Sequence, residues 1–287
     1  MTGQTDDLWK EDPRIIELPE ATVLAKQVSE AAVGQRIRDV VAAKSPHKFA
    51  WYYGDPKAYR SLLSGKTIEA SVGHGGLVEI TVGDAVLLFG DGVILRFSPK
   101  GKELPDKHQL RIGFEDGSSL VASVQMYGGL WAFPAGGFDN KYYRTAKEKS
   151  SPLADAFNGT YFEVLFDEKT ERLSLKAFLA TEQRIPGLGN GVLQDILFNA
   201  KMHPKKKSSL SEKDKKELLN SLKTTLTRMA ADGGRDTESD LYGRQGGYKT
   251  ILSRNTVGKP CPVCGTIIKK EAYMGGSIYF CSACQKI

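Results

Sequence analysis

The amino-acid sequence predicts an α+β fold in which an opening helix and a β-sandwich precede a helical domain and a small cysteine module. Three observations support this prediction: a helical pattern of apolar residues near the start, a long segment of short β-branched and aromatic runs, and further helical patterns followed by four clustered cysteines. With 287 residues and 40% hydrophobic content, the chain can bury a substantial core, and its length favours two or three domains.

The opening helix is predicted between Pro19 and Gly34. Proline is tolerated in a first helical turn, and glycine commonly follows a last one. Between these two residues, Leu24, Val28 and either Ala31 or Ala32 recur at the spacing of one helix face. The sequence therefore predicts an amphipathic helix at the start of the fold.

The segment from residue 37 to about residue 133 is predicted to form the β-sandwich. Its apolar runs are short and are separated by turn dipeptides such as Gly83-Asp84, Asp91-Gly92 and Asp116-Gly117. The next stretch, residues 134–152, is rich in glycine, proline, serine and charge and has little periodic apolar content. We interpret it as a hinge between domains.

The second half of the chain is predicted to be helical. The last helix begins at a Ser209 or Ser211 cap, with acidic residues in its first turn. After Ala231, a Gly-rich segment that runs to Tyr248 is predicted to be a long exposed loop. The predicted helices lie near residues 152–157, 171–182, 189–200 and 211–231.

Positive charge is concentrated in the C-terminal third. Residues 201–287 hold 17 lysines and arginines against 8 acidic residues, whereas residues 1–200 hold 23 against 26. This pattern favours a polyanionic partner, although a solvated lysine-rich surface would explain part of it. No stretch has the ~20 uninterrupted apolar residues of a membrane span, and the first fifteen residues are polar and acidic, unlike a secretory signal. A cytoplasmic protein without membrane contact, nucleoid-associated if bacterial, is therefore expected.

All four cysteines lie in the last 27 residues, as the pairs Cys261-Pro-Val-Cys264 and Cys281-Ser-Ala-Cys284. Two such pairs can direct four thiolates at one tetrahedral Zn²⁺, and the sixteen residues between them are enough for a β-hairpin. The alternative is two reduced thiol pairs or disulfides. Because four protein ligands leave no open coordination position, the predicted zinc is structural.

A second motif, Pro186-Gly-Leu-Gly-Asn190, lies between two predicted helices. Its glycines would let a backbone turn come close to a phosphate, and the next helix would present its N-terminal amides to that anion. The motif alone is also compatible with an ordinary Gly-rich connection between helices.

Together, this turn and a four-cysteine finger about seventy residues later resemble the Fpg/Nei (formamidopyrimidine-DNA glycosylase and endonuclease eight) family. Glu17-Leu-Pro-Glu20, Tyr242-Gly-Arg244 and the ending Cys284-Gln-Lys286 occur in the order that the family pattern has. The resemblance implies an N-terminal extension (residues 1–15), a β-sandwich domain (16–135), a hinge (136–151), a helix–two-turn–helix DNA-binding domain (152–254) and a zinc finger (255–287).

The resemblance implies a monomer that binds damaged double-stranded DNA, extrudes the damaged nucleotide and cuts its glycosidic bond. Asn190 and Lys176 would then contact the phosphate near the lesion. The loop at residues 233–248 would lie over the flipped base, with Arg244 and Tyr248 as DNA-binding residues.

Tyr127, in Met126-Tyr-Gly128, matches a family position for an aromatic wedge that fills the space left in the duplex. The alternative for this residue is a strand-edge tyrosine that packs on the sandwich.

The sequence departs from the family pattern at its catalytic start. In catalytic members the mature N-terminus is a proline whose secondary amine attacks the sugar. The matching position here is Ile16, whose nitrogen is an amide because fifteen residues precede it. Three cationic positions of the family also differ. The lysine of an early sandwich hairpin aligns with His74 or Gly75, and the arginine of the finger hairpin aligns with Gly276. Gln125 and Met126 stand where arginine is typical of the wedge motif.

Both carboxylates of the family pattern, Glu17 and Glu20, are retained and are the catalytic candidates. Glu17 would activate water against the anomeric carbon, giving hydrolysis without strand cleavage. Its alternative role is a helix N-terminal carboxylate stabilised by the helix dipole. His47 and Lys48, in a segment that the family pattern does not explain, are either a further source of chemistry or ordinary loop residues.

Three classes of function follow from these observations. The first is a DNA glycosylase with altered chemistry, and the second is a protein that binds damaged or distorted DNA without cutting it. The residue that separates them is Ile16. The third, a zinc-stabilised RNA-binding protein, fits the basic C-terminal third but not the order of motifs along the chain.

Overall fold

The computed structural model describes residues 15–287, so the expected extension at residues 1–15 lies outside the described residues except for Ile15. The fold is mixed α+β, as predicted, and no helix within the described range has the length and apolar character needed to cross a bilayer. The helices are α1 (Leu18–Ala32), α2 (Tyr59–Leu63), α3 (Lys141–Glu148), α4 (Gly159–Glu163), α5 (Leu175–Ala180), α6 (Val192–Asn199) and α7 (Glu212–Ala231). The strands are β1 (Ile37–Ala42), β2 (Ala50–Trp51), β3 (Ile68–His74), β4 (Leu77–Val82), β5 (Ala85–Ser98), β6 (Leu110–Phe114), β7 (Ser119–Pro134), β8 (Lys269–Tyr273) and β9 (Gly276–Phe280).

The first seven strands form one sheet in the order β1-β6-β7-β5-β4-β3, and β2 adds to β7 in parallel. The long strands β5 and β7 pair antiparallel along their whole length, with a register shift between Asp91 and Val93. Before this shift β5 also pairs with β4, whereas the early part of β7 pairs with β6. Leu87, Leu95 and Leu120 come from both parts of the sheet and share one apolar cluster. The two parts therefore enclose a common core.

The opening helix α1 packs against β3 and β4 and covers this core. Its buried face includes Leu24 and Val28, as the apolar spacing predicts. Pro19 lies in the first turn, and Gly34 adopts a φ of +84° after the last turn. Such a positive φ is easily reached by glycine, which is why the chain can turn there into β1.

The helical region differs from the sequence prediction in two places. Residues 152–157, predicted as a helix, form turns instead, and a short helix begins only at Gly159, where the Asn158 side chain accepts a hydrogen bond from Tyr161 N. The helix expected over residues 171–182 is confined to α5, which is capped by Ser174. The helices α6 and α7 lie where they were predicted, and Ser211 caps α7.

The expected hinge contains the helix α3. Asn140 caps it by accepting a hydrogen bond from Tyr143 N, and Tyr143 and Ala146 bury one face against the sheet. The Tyr143 hydroxyl donates to Glu79 of β4, and Lys147 lies 3.0 Å from the same carboxylate. Only two apolar positions mark this helix, which is why its periodicity was too weak to indicate it.

The Gly-rich segment after α7 is irregular, as predicted, but its expected exposure is wrong. Leu241 and Tyr248 are buried in the two main apolar clusters, and Arg235 is buried between them. Gly246 and Gly247 approach the backbone of residues 232–235 so closely that a Cβ on either residue would lie within 2.6 Å of a carbonyl oxygen. The glycines thus allow compact packing rather than exposure.

The C-terminal segment forms the hairpin β8–β9, which is flanked by the two cysteine pairs. It packs on α6 through a cluster that contains Phe198 and Cys281. Gln285 joins the two parts because its amide accepts from Cys281 N and donates to Met202 O. The finger is therefore held against the helical region.

Candidate functional site

A cleft of about 930 Å³ lies between the sheet and the turn that precedes α6, and we call it the interdomain cleft. Its walls come from the segment before α1, the bend of β5, β7, α3 and the Gly-rich turn. The cleft brings together three residues singled out from the sequence, Glu17, Tyr127 and Asn190. Ile16 and Asp91 also line it.

The Glu17 carboxylate is held at the start of α6. Its Oε1 accepts a hydrogen bond from Gly191 N at 2.8 Å, and its Oε2 accepts one from Val192 N at 2.7 Å. The first amides of a helix have no partner within the helix and favour an anion. Glu17 is thus a helix N-terminal carboxylate, but of α6 and not of its own helix, where its side chain makes no cap.

Burial raises the pKa of Glu17 above its ordinary value of 4.5. The nearby Glu20 adds to this rise, whereas Arg235 and the two α6 amides oppose it. Burial also raises the pKa of Asp91. Carboxyl groups whose pKa is raised inside a cleft are suited to proton transfer.

Three glycines of the turn before α6 face other chain segments at close range. The sequence predicted that Gly187 and Gly189 let the turn approach a phosphate. In the structure Gly187, Gly189 and Gly191 each also make room for another part of this molecule. A Cβ closer than about 3 Å to another atom forces a shift, so larger residues are excluded unless the neighbours move. A Cβ on Gly187 would lie 2.3 Å from the backbone of Gly75, one on Gly189 2.4 Å from Oε1 of Glu17, and one on Gly191 1.7 Å from Nη1 of Arg235.

Arg235 is the residue of the site that the sequence analysis missed. It is buried, and its Nε and Nη2 bind the two oxygens of Glu20 at 3.0 and 2.8 Å, while its Nη1 lies 3.5 Å from Glu17. A guanidinium holds a carboxylate best through two parallel bonds of this kind. The buried carboxylates of Glu17 and Glu20, at the start of α1, need a cation. The only sequence signal for Arg235 in that role was its place directly after two glycines.

Ile16 is positioned by its backbone. Its nitrogen donates a 2.8 Å hydrogen bond to the carbonyl oxygen of Asp91, which lies at the bend of β5 with a φ of +58°. Non-glycine residues rarely adopt this left-handed conformation, and where they do it often marks a functional site. The Ile16 nitrogen thus points at the cleft wall as a peptide donor.

The chain is similar to proteins of one kind along nearly its whole length. It is 26% identical to a formamidopyrimidine-DNA glycosylase of Bacillus cereus over 94% of this chain and 98% of that protein. It is 29% identical to the protein of the same name from Mycoplasmopsis pulmonis, with the same coverage. No family model matches the chain.

Solved structures agree with these relatives. The fold matches the MutM (Fpg) protein of Thermus thermophilus with a TM-score of 0.77, at 24% identity over 94% of this chain and 98% of that one. It matches Lactococcus lactis Fpg, solved with abasic-site DNA, with a TM-score of 0.80, at 23% identity over 94% and 100% of the two chains. By sequence along nearly its whole length, and by fold, the chain is similar to the Fpg proteins.

Two residues expected to contact phosphate in an Fpg protein lie at the finger hairpin. Lys176 Nζ donates to Tyr273 O at 2.5 Å, and Asn190 Nδ2 donates to Ser277 O at 2.9 Å. Both reach Gly276, where a Cβ would lie 3.5 Å from Lys176 Nζ and 3.8 Å from the Asn190 amide. The position of the Fpg finger arginine is thus bordered by a lysine from α5.

Tyr127 lines the interdomain cleft and stacks on Trp51, with ring centroids 5.6 Å apart and an interplanar angle of 30°. Burial and the charges of Asp91 and Glu17 raise the pKa of its hydroxyl. Its place at the cleft is compatible with the Fpg wedge, and its stacking on Trp51 is compatible with a strand-edge role.

The remaining Fpg-like residues are not brought to the cleft. Glu20 lies beside the cleft wall in the ion pair with Arg235. Tyr248 is buried in the core of the helical region and contacts Asp195, so its ring is covered by protein rather than available to a base. Arg244 is exposed and pairs with Asp240 at 2.8 Å, which ties the loop to itself.

The missing Fpg lysine has a structural explanation. Gly75 adopts a φ of +57°, and a Cβ there would lie 2.8 Å from the backbone of Pro186. His74 lies 3.3 Å from Glu79, whose pKa falls to about 2 because hydrogen bonds from His74, Tyr143 and Lys147 outweigh the opposing effect of its burial. Neither position presents a long cation to the cleft.

The four cysteines converge as the spacing predicted. Their sulfur atoms all lie within 4.8 Å of one another, with 3.9 Å between Cys261 and Cys284 and 3.4 Å between Cys264 and Cys281. Zn–S bonds of ~2.3 Å in a tetrahedron separate the sulfurs by roughly 3.8 Å. The four thiols therefore form a group that can hold a metal ion.

Proposed function

We propose that this protein binds damaged double-stranded DNA as a monomer and excises a base by hydrolysis, without forming a covalent link through the backbone nitrogen at residue 16. The observation that carries the proposal is the juxtaposition of a buried, oriented Glu17 carboxylate with an Ile16 nitrogen that is a peptide donor. Related proteins named formamidopyrimidine-DNA glycosylase, and Fpg structures solved with damaged DNA, support the substrate class.

The phosphate backbone would be held where the turn before α6 meets the finger. Asn190 donates one amide hydrogen to Ser277 O, and its second hydrogen is suited to a phosphate oxygen. Lys176 supplies positive charge beside the same turn. The positive excess of residues 201–287 would add affinity that does not depend on base sequence.

Glu17 is proposed as the general base of the reaction. It would take a proton from a water molecule whose oxygen attacks the anomeric carbon, while the glycosidic C–N bond breaks and its electron pair leaves with the base. A carboxylate has about four acceptor sites. The amides of Gly191 and Val192 occupy two of them, and the guanidinium of Arg235 forms an ion pair at 3.5 Å, so the carboxylate is oriented but can still accept the proton.

Glu20 is proposed as a positioning residue. Its two hydrogen bonds fix Arg235, and Arg235 in turn limits where the Glu17 carboxylate can lie. Of the two predicted catalytic residues, Glu17 lies at the cleft and would react, whereas Glu20 lies behind it and would hold Arg235 in place.

Zinc is proposed as the ion held by Cys261, Cys264, Cys281 and Cys284. The four-thiolate donor set is typical of structural zinc sites, and the sulfur separations are compatible with tetrahedral binding. The ion would stabilise the finger and thereby the Gly276 turn that borders Asn190 and Lys176.

The test is excision from duplexes that carry oxidised, ring-opened, alkylated or abasic positions. We expect release of a base from at least one lesion, an intact abasic strand as product, and loss of release in Glu17→Gln with DNA binding retained. Glu69→Gln, at an exposed glutamate of β3, is the matched control and should release base normally. Equal release by wild type and Glu17→Gln would contradict the assignment.

A second candidate function is recognition of damaged or distorted DNA without excision. It is favoured by the peptide character of the Ile16 nitrogen and by the absence of a long cation at residues 74 and 75. Tight binding to damaged duplexes with no base released from any of them would establish this function instead.

A further inference from the structure

The loop between β1 and α2, which the Fpg resemblance does not explain, carries aromatic side chains on its exposed face. Phe49 and Trp51 are 48% and 42% exposed, whereas Tyr52 packs against the sheet core. This alternation is that of an extended strand whose two faces differ. Exposed aromatic residues that cluster in this way commonly mark a binding surface.

The loop is anchored to the sheet. Ala50 and Trp51 pair in parallel with Gly128 and Gly129 of β7, and Gly128 N donates to Phe49 O at 3.0 Å. Neither glycine has room for a side chain, because a Cβ on Gly129 would lie 1.9 Å from the ring of Trp131 and one on Gly128 would lie 2.7 Å from Val93 Cγ2. The exposed rings are therefore held by a rigid backbone and do not move freely with a loop.

This anchoring places Trp51 beside the interdomain cleft. Trp51 stacks on Tyr127, which lines the cleft together with Glu17. Phe49, Trp51 and Tyr127 thus form what we call the aromatic rim. The exposed Lys48 lies over the Phe49 ring, with its Nζ 5.3 Å from the ring centroid, and the exposed Lys44 precedes it in the same loop.

We propose that Trp51 extends the aromatic rim so that it stacks on the nucleobase left without a partner when a nucleotide leaves the duplex. This inference rests on the proposed DNA function. Two observations indicate that a nucleic acid binds to the rim. The rim is continuous with the cleft, and the lysines of the same loop suit the phosphates of a nucleic acid. Base–aromatic stacking accepts any base because every base offers a π-face.

Stacking by Trp51 would make the protein bind damaged DNA more tightly than intact DNA, whichever base is left unpaired. Trp51→Ala should weaken binding to a duplex with an abasic-site analogue about 10-fold, as loss of one stacking contact predicts, and binding to the intact duplex less than 2-fold. Trp51→Phe keeps a smaller ring and should show an intermediate loss. All four bases opposite the abasic site should behave alike.

The experiment measures affinity by fluorescence anisotropy of labelled duplexes, together with quenching of tryptophan emission. Wild type should be quenched more by the abasic duplex than by the intact one. Trp51→Phe should lose that difference, whereas Trp131→Phe, at a tryptophan that packs on Phe138, should keep it. If wild type prefers the abasic duplex but Trp51→Ala weakens both duplexes equally or neither, the inference fails and the proposed function stands. If wild type itself does not distinguish the two duplexes, both fail.

Discussion

The backbone nitrogen of Ile16 donates a 2.8 Å hydrogen bond to the carbonyl oxygen of Asp91. The lone pair of a peptide nitrogen is delocalised into the adjacent carbonyl group, so this nitrogen cannot attack a sugar and form the imine that a terminal amine would form. Borohydride should therefore trap no complex between DNA and residue 16, and the strand should remain uncut after excision.

This expectation is checked by gel analysis of reactions with and without borohydride. A stable crosslink would contradict it, and peptide mapping would then identify the reacting amine. Lys141, which lines the interdomain cleft, and Lys48 are the residues to examine.

The raised pKa of Glu17 predicts the pH profile of excision. A general base works only when it is ionised, so the single-turnover rate should increase with pH through an apparent pKa above 4.5 and then level off. Burial is the main cause of the rise, so a variant that admits water to the carboxylate should move the midpoint to lower pH. A rate that falls as the pH increases over this range would show that the protonated form is the active one.

Gly189 is expected to be essential because it leaves room for the Glu17 carboxylate. In Gly189→Ala the new Cβ would lie 2.4 Å from Glu17 Oε1, so the carboxylate or the turn must move. Excision should fall at least 10-fold, because small displacements of a catalytic group have effects of this size.

Gly159→Ala is the matched control, since a Cβ there meets nothing within 4 Å. It should leave excision unchanged. Circular dichroism of both variants would show whether the loss in Gly189→Ala arises in a folded protein, and normal excision by Gly189→Ala would overturn the assigned contact.

Zinc should be present at one equivalent per chain. Cys264→Ser should release it and weaken DNA binding, since the finger hairpin borders Asn190 and Lys176. The sheet core should stay folded because its apolar cluster contains no finger residue. Metal analysis and near-ultraviolet spectra test the two halves of this expectation, and native protein without zinc would refute it.

DNA affinity should fall steeply with salt, because binding releases counterions in proportion to the phosphates neutralised. Asn190→Ala should weaken binding to all sequences alike, since the contact proposed for its amide is to a phosphate and not to a base. An Asn199→Ala variant is the control, because Asn199 bonds Thr225 within the helical region. Affinity that hardly changes between low and high salt would argue against the proposed contacts.

The chemistry-bearing motifs could be predicted because they are local. The spacing of Cys261, Cys264, Cys281 and Cys284 specifies a four-thiol group, and Pro186-Gly-Leu-Gly-Asn190 specifies a turn between helices. Both lie in the structure as expected. By contrast, α3 was missed because two apolar positions make a weak periodicity, although its Asn140 cap was visible in the sequence.

The sequence by itself determined the order of the parts, the type of fold and the metal-binding group, since periodicity, caps and cysteine spacing act over a few residues. Only the tertiary structure decided what each residue faces. Glu17 meets the amides of α6 and Arg235, and Trp51 meets Tyr127, across separations in the chain that no local pattern spans. The physical reason is close packing between segments that are distant in the chain. Gly187, Gly189 and Gly191 each leave space for such a segment, and which segment fills the space is known only from the folded structure.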